Sequence, residues 1–233
     1  MARERVLIVD DDALILRFLQ VIFKDAEYRV LIARDGLEAL DTVEKEMPDI
    51  VILDISMPKL DGLQVCRRLR DWSQLPIIIL SARADTEGKV KCLEAGADDY
   101  VCKPFSKEEL LARVSSVLRR SKGAPAAQTQ SVFTAGDLTI DFNARRVTSA
   151  GEDVKLTPTE YHLLHELVSN VGKALDHTYL LKMVWGSEYS EEMEYLRVFV
   201  NRLRTKLEPD PSNPRYIITI PGMGYMFERR SID

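Results

Sequence analysis

Residues 49–62 read DIVILDISMPKLDG. Ile50, Val51, Ile52 and Leu53 form an unbroken aliphatic run, the pattern of a strand buried on both faces of a parallel sheet. The Ser56-Met57-Pro58 segment stops that strand, so Asp54 falls at its tip. The same design recurs on either side. VLIVDDD (6–12) runs into Asp10, Asp11 and Asp12, PIIIL (76–80) runs into Ser81, and DDYVC (98–102) runs into Lys103. Strand-like runs at 5–9, 29–33, 50–53, 76–80 and 99–102 alternate with helical stretches at 13–25, 36–46, 62–71, 84–95 and 106–120. Five βα units imply a five-stranded parallel, doubly wound α/β sheet with helices on both faces, strands one and three being central. In such a sheet the C-terminal strand ends open on one shared crevice.

Four strands thus deliver three carboxylates, a hydroxyl and an ammonium to one place. Carboxylates in close company repel unless a cation joins them, so Asp10 and Asp11 read as hard oxygen ligands for Mg²⁺. Asp54 and the backbone carbonyl of Ser56 are further candidate ligands. A carboxylate can attack phosphorus to give an acyl phosphate, and Asp54 is the residue kept for that chemistry. Lys103 supplies a fixed positive charge, and Ser81 a hydroxyl able to bond the transferred group. Asp12 precedes an apolar helix and suits its N-cap. Any one of these residues alone is an ordinary strand-end polar residue; together, after separate strands, they form a site.

The chain has 233 residues and a formal net charge of −5, so no overall basic balance announces a nucleic-acid partner and any basic surface must be local. No apolar run approaches the roughly 20 residues of a membrane span. The N-terminus enters a strand directly, without the h-region of a signal peptide, and a cytoplasmic protein is expected. Cys66, Cys92 and Cys102 have no CxxC spacing and read as idle thiols. His162 and His165, three apart, read as helix residues rather than zinc ligands.

SKGAPAAQTQ (121–130) is small, polar and aperiodic, a linker sequence. It divides the chain into 1–121, a linker at 122–131, and 132–233. The second part begins with strand-like pieces at 132–141 and 145–156, the latter turning at Ala150-Gly151. Thr157, Pro158 and Glu160 then open a helix as N-cap, N1 and N3. A short helix ends at Trp185-Gly186, a third spans about 191–207, and a hairpin pairs RYIITI with GYMFER. That order is a winged helix-turn-helix. In the third helix Leu196, Val200, Leu203 and Leu207 form a buried stripe. Arg197, Asn201 and Arg204 share another face, flanked by Arg202 and Lys206. Arginine and asparagine read guanine and adenine edges bidentately, so this face is a candidate major-groove reader. Arg215 stands near the hairpin for phosphate. Met223 occupies the hairpin tip, where a basic residue would help most.

VLIVDDD, ILDISMPKLDG, IILSAR and GADDYVCKPF resemble the receiver domain of two-component response regulators. LTPTEYHLLHELVSNVGKALDHTYLL, VFVNRLRTKLEPD and YIITIPGMGYMF resemble the winged-helix effector of the OmpR/PhoB family, and YLRVFVNRLRTKLEPDPSNPRYI its KdpE-like branch of potassium-transport regulators. The resemblance covers essentially the whole chain. It implies a flavodoxin-like receiver in which Asp54 takes phosphate from a sensor histidine kinase, Asp10 and Asp11 bind Mg²⁺, Ser81 and Tyr100 form the switch, and Lys103 completes the pocket. The only departure there is Ser81 in place of the commoner threonine. It also implies that Lys89, Asp98, Asp99, Glu109, Arg113 and Arg120 form a symmetric homodimer interface on phosphorylation, that the winged helices bind promoter DNA, and that RNA polymerase is a partner. Asn201 stands where many relatives carry a basic residue, so base preference does not transfer.

Two rivals differ in class. A Mg²⁺-dependent phosphohydrolase would need a second acid two residues after its nucleophile, where this chain has Ser56; the reading is a regulator, not an enzyme. A phosphorylation-gated protein-interaction module without DNA binding is opposed by the Arg197, Asn201 and Arg204 face.

Overall fold

The computed structural model describes residues 3–82, 85–122 and 131–229. The chain divides into two compact units, Met1–Ser121 and Lys122–Asp233. The first contains β1 (Arg5–Val9), α1 (Ala13–Asp25), β2 (Arg29–Ala33), α2 (Gly36–Glu46), β3 (Ile50–Asp54), α3 (Gly62–Trp72), β4 (Ile77–Ser81), α4 (Thr86–Glu94), β5 (Asp99–Cys102) and α5 (Lys107–Lys122). Every strand pair is parallel and the order is β2-β1-β3-β4-β5, so β1 and β3 are interior as their sequences require. Ile8, Ile52, Ile78 and Val101 pack on one face against Leu19 and Phe23 of α1 and Val114 and Val117 of α5. Asp12 caps α1, its carboxylate accepting from the Leu14 N–H at 2.7 Å, and Asp35, Asp61 and Asp85 cap the next three helices in the same way. Each cap satisfies a helix N-terminal donor that would otherwise lack a partner.

Gly62 opens α3 where the helix presses on the end of β3. A Cβ there would lie 2.2 Å from the carbonyl oxygen of Asp54, so only glycine lets α3 start this close to the strand tip. Because α5 runs through Lys122, the first residue of the expected linker is helical. Residues 123–130 of that linker lie outside the described residues.

The second unit opens with β6 (Val132–Ala135), β7 (Leu138–Asp141), β8 (Arg146–Ser149) and β9 (Glu152–Asp153), an antiparallel meander in chain order. What reads as one strand-like piece at 132–141 is a hairpin, turning at Gly136 with φ of 56°. Then come α6 (Pro158–Ser169), β10 (Leu175–Asp176), α7 (His177–Val184), a 3-10 turn (Ser187–Tyr189), α8 (Met193–Leu207), β11 (Ile217–Ile220) and β12 (Gly224–Phe227). Thr157 and Glu160 close the expected capping box. Leu163, Leu164 and Leu167 of α6, Leu180 and Leu181 of α7, and Leu196, Phe199 and Leu203 of α8 are all fully buried. β12 pairs with β11 on one side and with β10 on the other, giving the three-stranded wing sheet of a winged helix-turn-helix. No helix among the described residues is long and apolar enough to cross a membrane.

Candidate functional site

Parallel register carries the polar residues of the first unit to one edge. Val9 pairs with Leu53, Asp54 with Leu80 and Ser81 with Cys102, so Asp10, Asp54, Ser81 and Lys103 sit at or just beyond four adjacent strand ends. Asp10, Asp54 and Ser81 are buried. The Lys103 ammonium lies between the two acids, donating to Asp54 Oδ1 at 2.5 Å and to Asp10 Oδ2 at 2.9 Å. The second oxygen of each acid is also held: Asp10 Oδ1 accepts from the Asp12 N–H at 2.9 Å and Asp54 Oδ2 from the Ser56 N–H at 2.6 Å. Burial pushes the Asp10 carboxyl above its usual range, outweighing the hydrogen bonds from Lys103 and Asp12. Burial also works against the Lys103 ammonium, but its bonds to Asp54 and Asp10 prevail and hold its pKa above the ordinary lysine value. The Lys103-Pro104 peptide is cis.

The expected cluster of three carboxylates is not assembled as a ready-made metal site. Among the described residues no group of three or more His, Cys, Asp or Glu is gathered to hold an ion. The physical reason is visible: Lys103 bridges Asp10 and Asp54, and the Asp11 side chain is exposed. The donors still suit a hard cation. Two carboxylates, those of Asp10 and Asp54, face one ammonium, leaving a negative excess that a divalent ion would neutralise.

Tyr100 lies inward, 3% exposed. It shares a side-chain hydrogen bond with Ser81, while burial lifts its phenol above the usual value. The expected switch pair is therefore in contact across adjacent strands, Tyr100 standing opposite Ile79, two residues before Ser81.

Of the six residues expected at a dimer interface, the structure commits several to the interior. Asp98 is fully buried and takes the Arg70 guanidinium at 2.9 Å and the Ile77 N–H at 3.1 Å, fastening the end of α3 to the start of β4. It is a structural acid, not a surface one. Arg120 is also buried, donating to Ser116 at 3.0 Å. Asp99 is buried under Arg113, which bridges it to Glu109. Glu109 is exposed, with Lys89 and Arg113 half-buried.

α8 sorts its basic residues in a way the sequence does not announce. Arg197 and Asn201 are exposed, as expected. Arg202 is not: its guanidinium meets the buried Glu160 carboxylate at 2.7 Å and covers the Phe199 ring at 4.6 Å. Lys206 reaches the same acid at 2.6 Å and the Lys155 carbonyl at 2.9 Å. Both residues expected to flank that face thus also tie α6 to α8. Arg204 is half-buried and donates to the Ile217 carbonyl and the Thr219 hydroxyl. Arg215 is exposed at the root of the hairpin. Thr205 completes the exposed stripe with Arg197 and Asn201; helical spacing alone places it there, and sequence reading passed over it.

Two titratable groups are expected to make the second unit acid-sensitive. Burial between α6 and the β7–β8 turn, beside Phe142 and Tyr161, holds the His165 imidazole below its usual 6.5. Burial opposes the Glu160 carboxylate, but Arg202 and Lys206 outweigh it and hold the acid below its usual 4.5. With both folded-state values depressed, the stability each group contributes is present above its unfolded value and is lost as pH falls through the folded value. We therefore expect the melting temperature of this unit to fall from about pH 6.5 downward and again below about pH 4.5. Calorimetry of the wild type and His165→Phe checks this: the variant should lose only the first decline. An identical pH profile for the two proteins counts against the histidine.

These geometries agree with the family comparisons. The model of the response regulator receiver domain matches residues 6–115, and that of the transcriptional regulatory protein C terminal matches residues 151–227. The transcriptional regulatory protein KdpE of Mycobacterium tuberculosis is 44% identical over 223 residues, covering 96% of this chain and 98% of that protein. The crystal structure of response regulator DrrB, a Thermotoga maritima OmpR/PhoB homolog, is 32% identical over 97% of this chain and 100% of its own, with a TM-score of 0.52. A structure of a RitR mutant is 26% identical over 96% of this chain and 98% of its own, with a TM-score of 0.78. The chain belongs to the OmpR/PhoB family of two-component response regulators. Within that family it is KdpE-like, a phosphorylation-dependent DNA-binding transcriptional regulator.

Proposed function

We propose that residues 1–121 act as the receiver, with Asp54 as the phosphoacceptor, that 122–131 join it to the effector, and that 132–233 bind promoter DNA through α8. The observation that carries the first assignment is the Lys103 ammonium bridging Asp54 and Asp10 at adjacent strand tips. In the transfer, an oxygen of Asp54 attacks the phosphorus of a phosphohistidine on a sensor kinase. The O–P bond forms as the N–P bond breaks, and the released imidazole nitrogen takes up a proton. Lys103 holds Asp54 in place and supplies positive charge beside the arriving phosphoryl oxygens. Mg²⁺, when bound by Asp10, Asp11, Asp54 and the Ser56 carbonyl, would neutralise the charge on those oxygens. Ser81 and Tyr100 then bias the receiver as a pair, because the phosphoryl group adds about −1.5 to −2 of charge beside them. Intact-mass measurement of the full chain with acetyl phosphate, with and without Mg²⁺, tests the pocket.

The receiver is read as a homodimerising element through its α4, β5 and α5 side, where Lys89, Glu109 and Arg113 remain at or near the surface. Pairing would bring two effectors to adjacent half-sites, raising affinity through effective concentration. RNA polymerase is the expected downstream partner, and the cytoplasm the expected compartment. The protein's chemistry is self-phosphorylation rather than turnover of a metabolite.

Arg197, Asn201 and Thr205 form the proposed reading face. Asn201→Ala is expected to weaken binding to a selected operator by about 1–3 kcal/mol, roughly 5- to 150-fold, with the melting temperature unchanged. Electrophoretic mobility shift with a duplex selected from random sequence by the wild type measures this. Equal affinity of the two proteins would remove Asn201 from the reading face.

A further inference from the structure

The hairpin that forms the wing has an unusual surface. From Ile218 to Met226 its sequence is ITIPGMGYM, without one charged residue. Pro221, Gly222 and Met223 at the tip are exposed. A polyanion offers such a tip no long-range attraction, so beyond Arg215 at its root nothing in the hairpin would steer it toward DNA. Its placement has to come from within the protein.

α8 supplies that placement at two points one helical turn apart. Glu208, the C-cap of α8, accepts the N–H groups of Arg215 at 2.7 Å, Tyr216 at 2.9 Å and Ile217 at 2.8 Å. This carboxylate grips the root of β11. Arg204 takes the next step outward. Its Nε and Nη2 donate to the Ile217 carbonyl at 3.0 and 2.7 Å, and Nη2 also reaches Thr219 Oγ1 at 2.8 Å. Its guanidinium lies 5.8 Å from the Tyr225 ring centroid, across from β12. One planar group therefore holds backbone and side chain of β11 and faces the ring of its partner strand. Rigid, forked donors suit this task, and a lysine ammonium cannot reproduce the geometry.

We propose that Arg204 is a positioning residue that locks the uncharged wing at a fixed angle to α8, so that hairpin and recognition helix address DNA as a single rigid reader. Arg204 then contributes to binding through the wing and not through a contact of its own with base or phosphate. The proposal rests on α8 being the DNA-reading helix, and the two can fail separately.

The test uses the full chain with Arg204→Lys, Arg204→Met and Thr219→Val. Amide hydrogen exchange of the free protein, without DNA, reports the lock directly. Exchange across Ile220–Gly224 is expected to quicken about tenfold or more in both Arg204 variants, with α6 and α7 unchanged. On a duplex selected from random sequence by the wild type, both variants are expected to bind about tenfold more weakly with an unchanged salt slope. Hydroxyl-radical protection under the wing should be lost and protection under α8 kept. Arg204→Lys with Thr219→Val should lose no more than Arg204→Lys alone, because the two residues share one interaction. A phosphate contact gives the opposite pattern: lysine keeps affinity, and methionine lowers the salt slope by about one. That pattern, or unchanged exchange in Arg204→Met, overturns the proposal. Loss of α8 protection in Asn201→Ala is the separate check on the reading helix.

Discussion

Asp54→Asn is expected to take up no phosphate from acetyl phosphate, where the wild type gains one phosphoryl group per chain. The loss should be complete because the amide nitrogen and oxygen of asparagine are poor nucleophiles, while its shape preserves the pocket. Asparagine oxygen can still accept from Lys103, so the receiver should fold and melt close to the wild type. Intact mass separates this outcome from simple damage. A phosphoryl group appearing stoichiometrically on Asp54→Asn would show that another residue is the acceptor. Asp10 is the next nearest carboxylate, sharing the same ammonium at 2.9 Å.

The largest stability effect belongs to Glu160. Its carboxylate is wholly buried, with Arg202 12% and Lys206 29% exposed around it. Glu160→Gln keeps the shape and the capping oxygen but removes the counter-charge from two cations. Breaking a buried ion pair from one side costs about 3–5 kcal/mol. For a unit of this size, that lowers the melting temperature by roughly 10 °C or more. DNA affinity should fall with it, since α8 loses its anchor on α6. Replacing Glu160 and Arg202 together by leucine and methionine should recover much of the stability, because a well-packed apolar pair needs no charge balance. Calorimetry of the full chain reads both changes. A Glu160→Gln melting point within about 2 °C of the wild type would mean the triad adds little.

The parts of this molecule that sequence made legible are those governed by local pattern. Ile50–Leu53 could only be a doubly buried strand, and parallel connection then forced Asp10, Asp54, Ser81 and Lys103 to one edge. Thr157, Pro158 and Glu160 announced α6 at its first residue. What stayed hidden depended on partners far along the chain. Nothing around Asp98 tells that Arg70 will occupy it. Nothing around Arg202 or Lys206 tells that Glu160, on another helix, will claim both. The two-residue β10 has no periodicity to detect; it exists because Gly224 leaves room for the Leu175 carbonyl to approach β12. The same blindness touched Glu160 itself, legible as a cap and illegible as an ion-pair centre.

α8 carries its duties on separate residues. Arg202, Lys206, Arg204 and Glu208 tie the helix to α6 and to the hairpin. Among the described residues, Arg197 pairs within the helix with Glu194, and the Thr205 hydroxyl donates to the Asn201 backbone carbonyl. If these three residues form the proposed reading face, operator preference can drift while the fold stays still. A library randomised at 197, 201 and 205 should remain mostly soluble and well folded while its members diverge in the sequences they select. The same library at 202 and 206, the two residues on buried Glu160, should yield few folded proteins. Such a helix is a cassette: gene duplication followed by a few changes on its outer stripe would make a regulator with new targets.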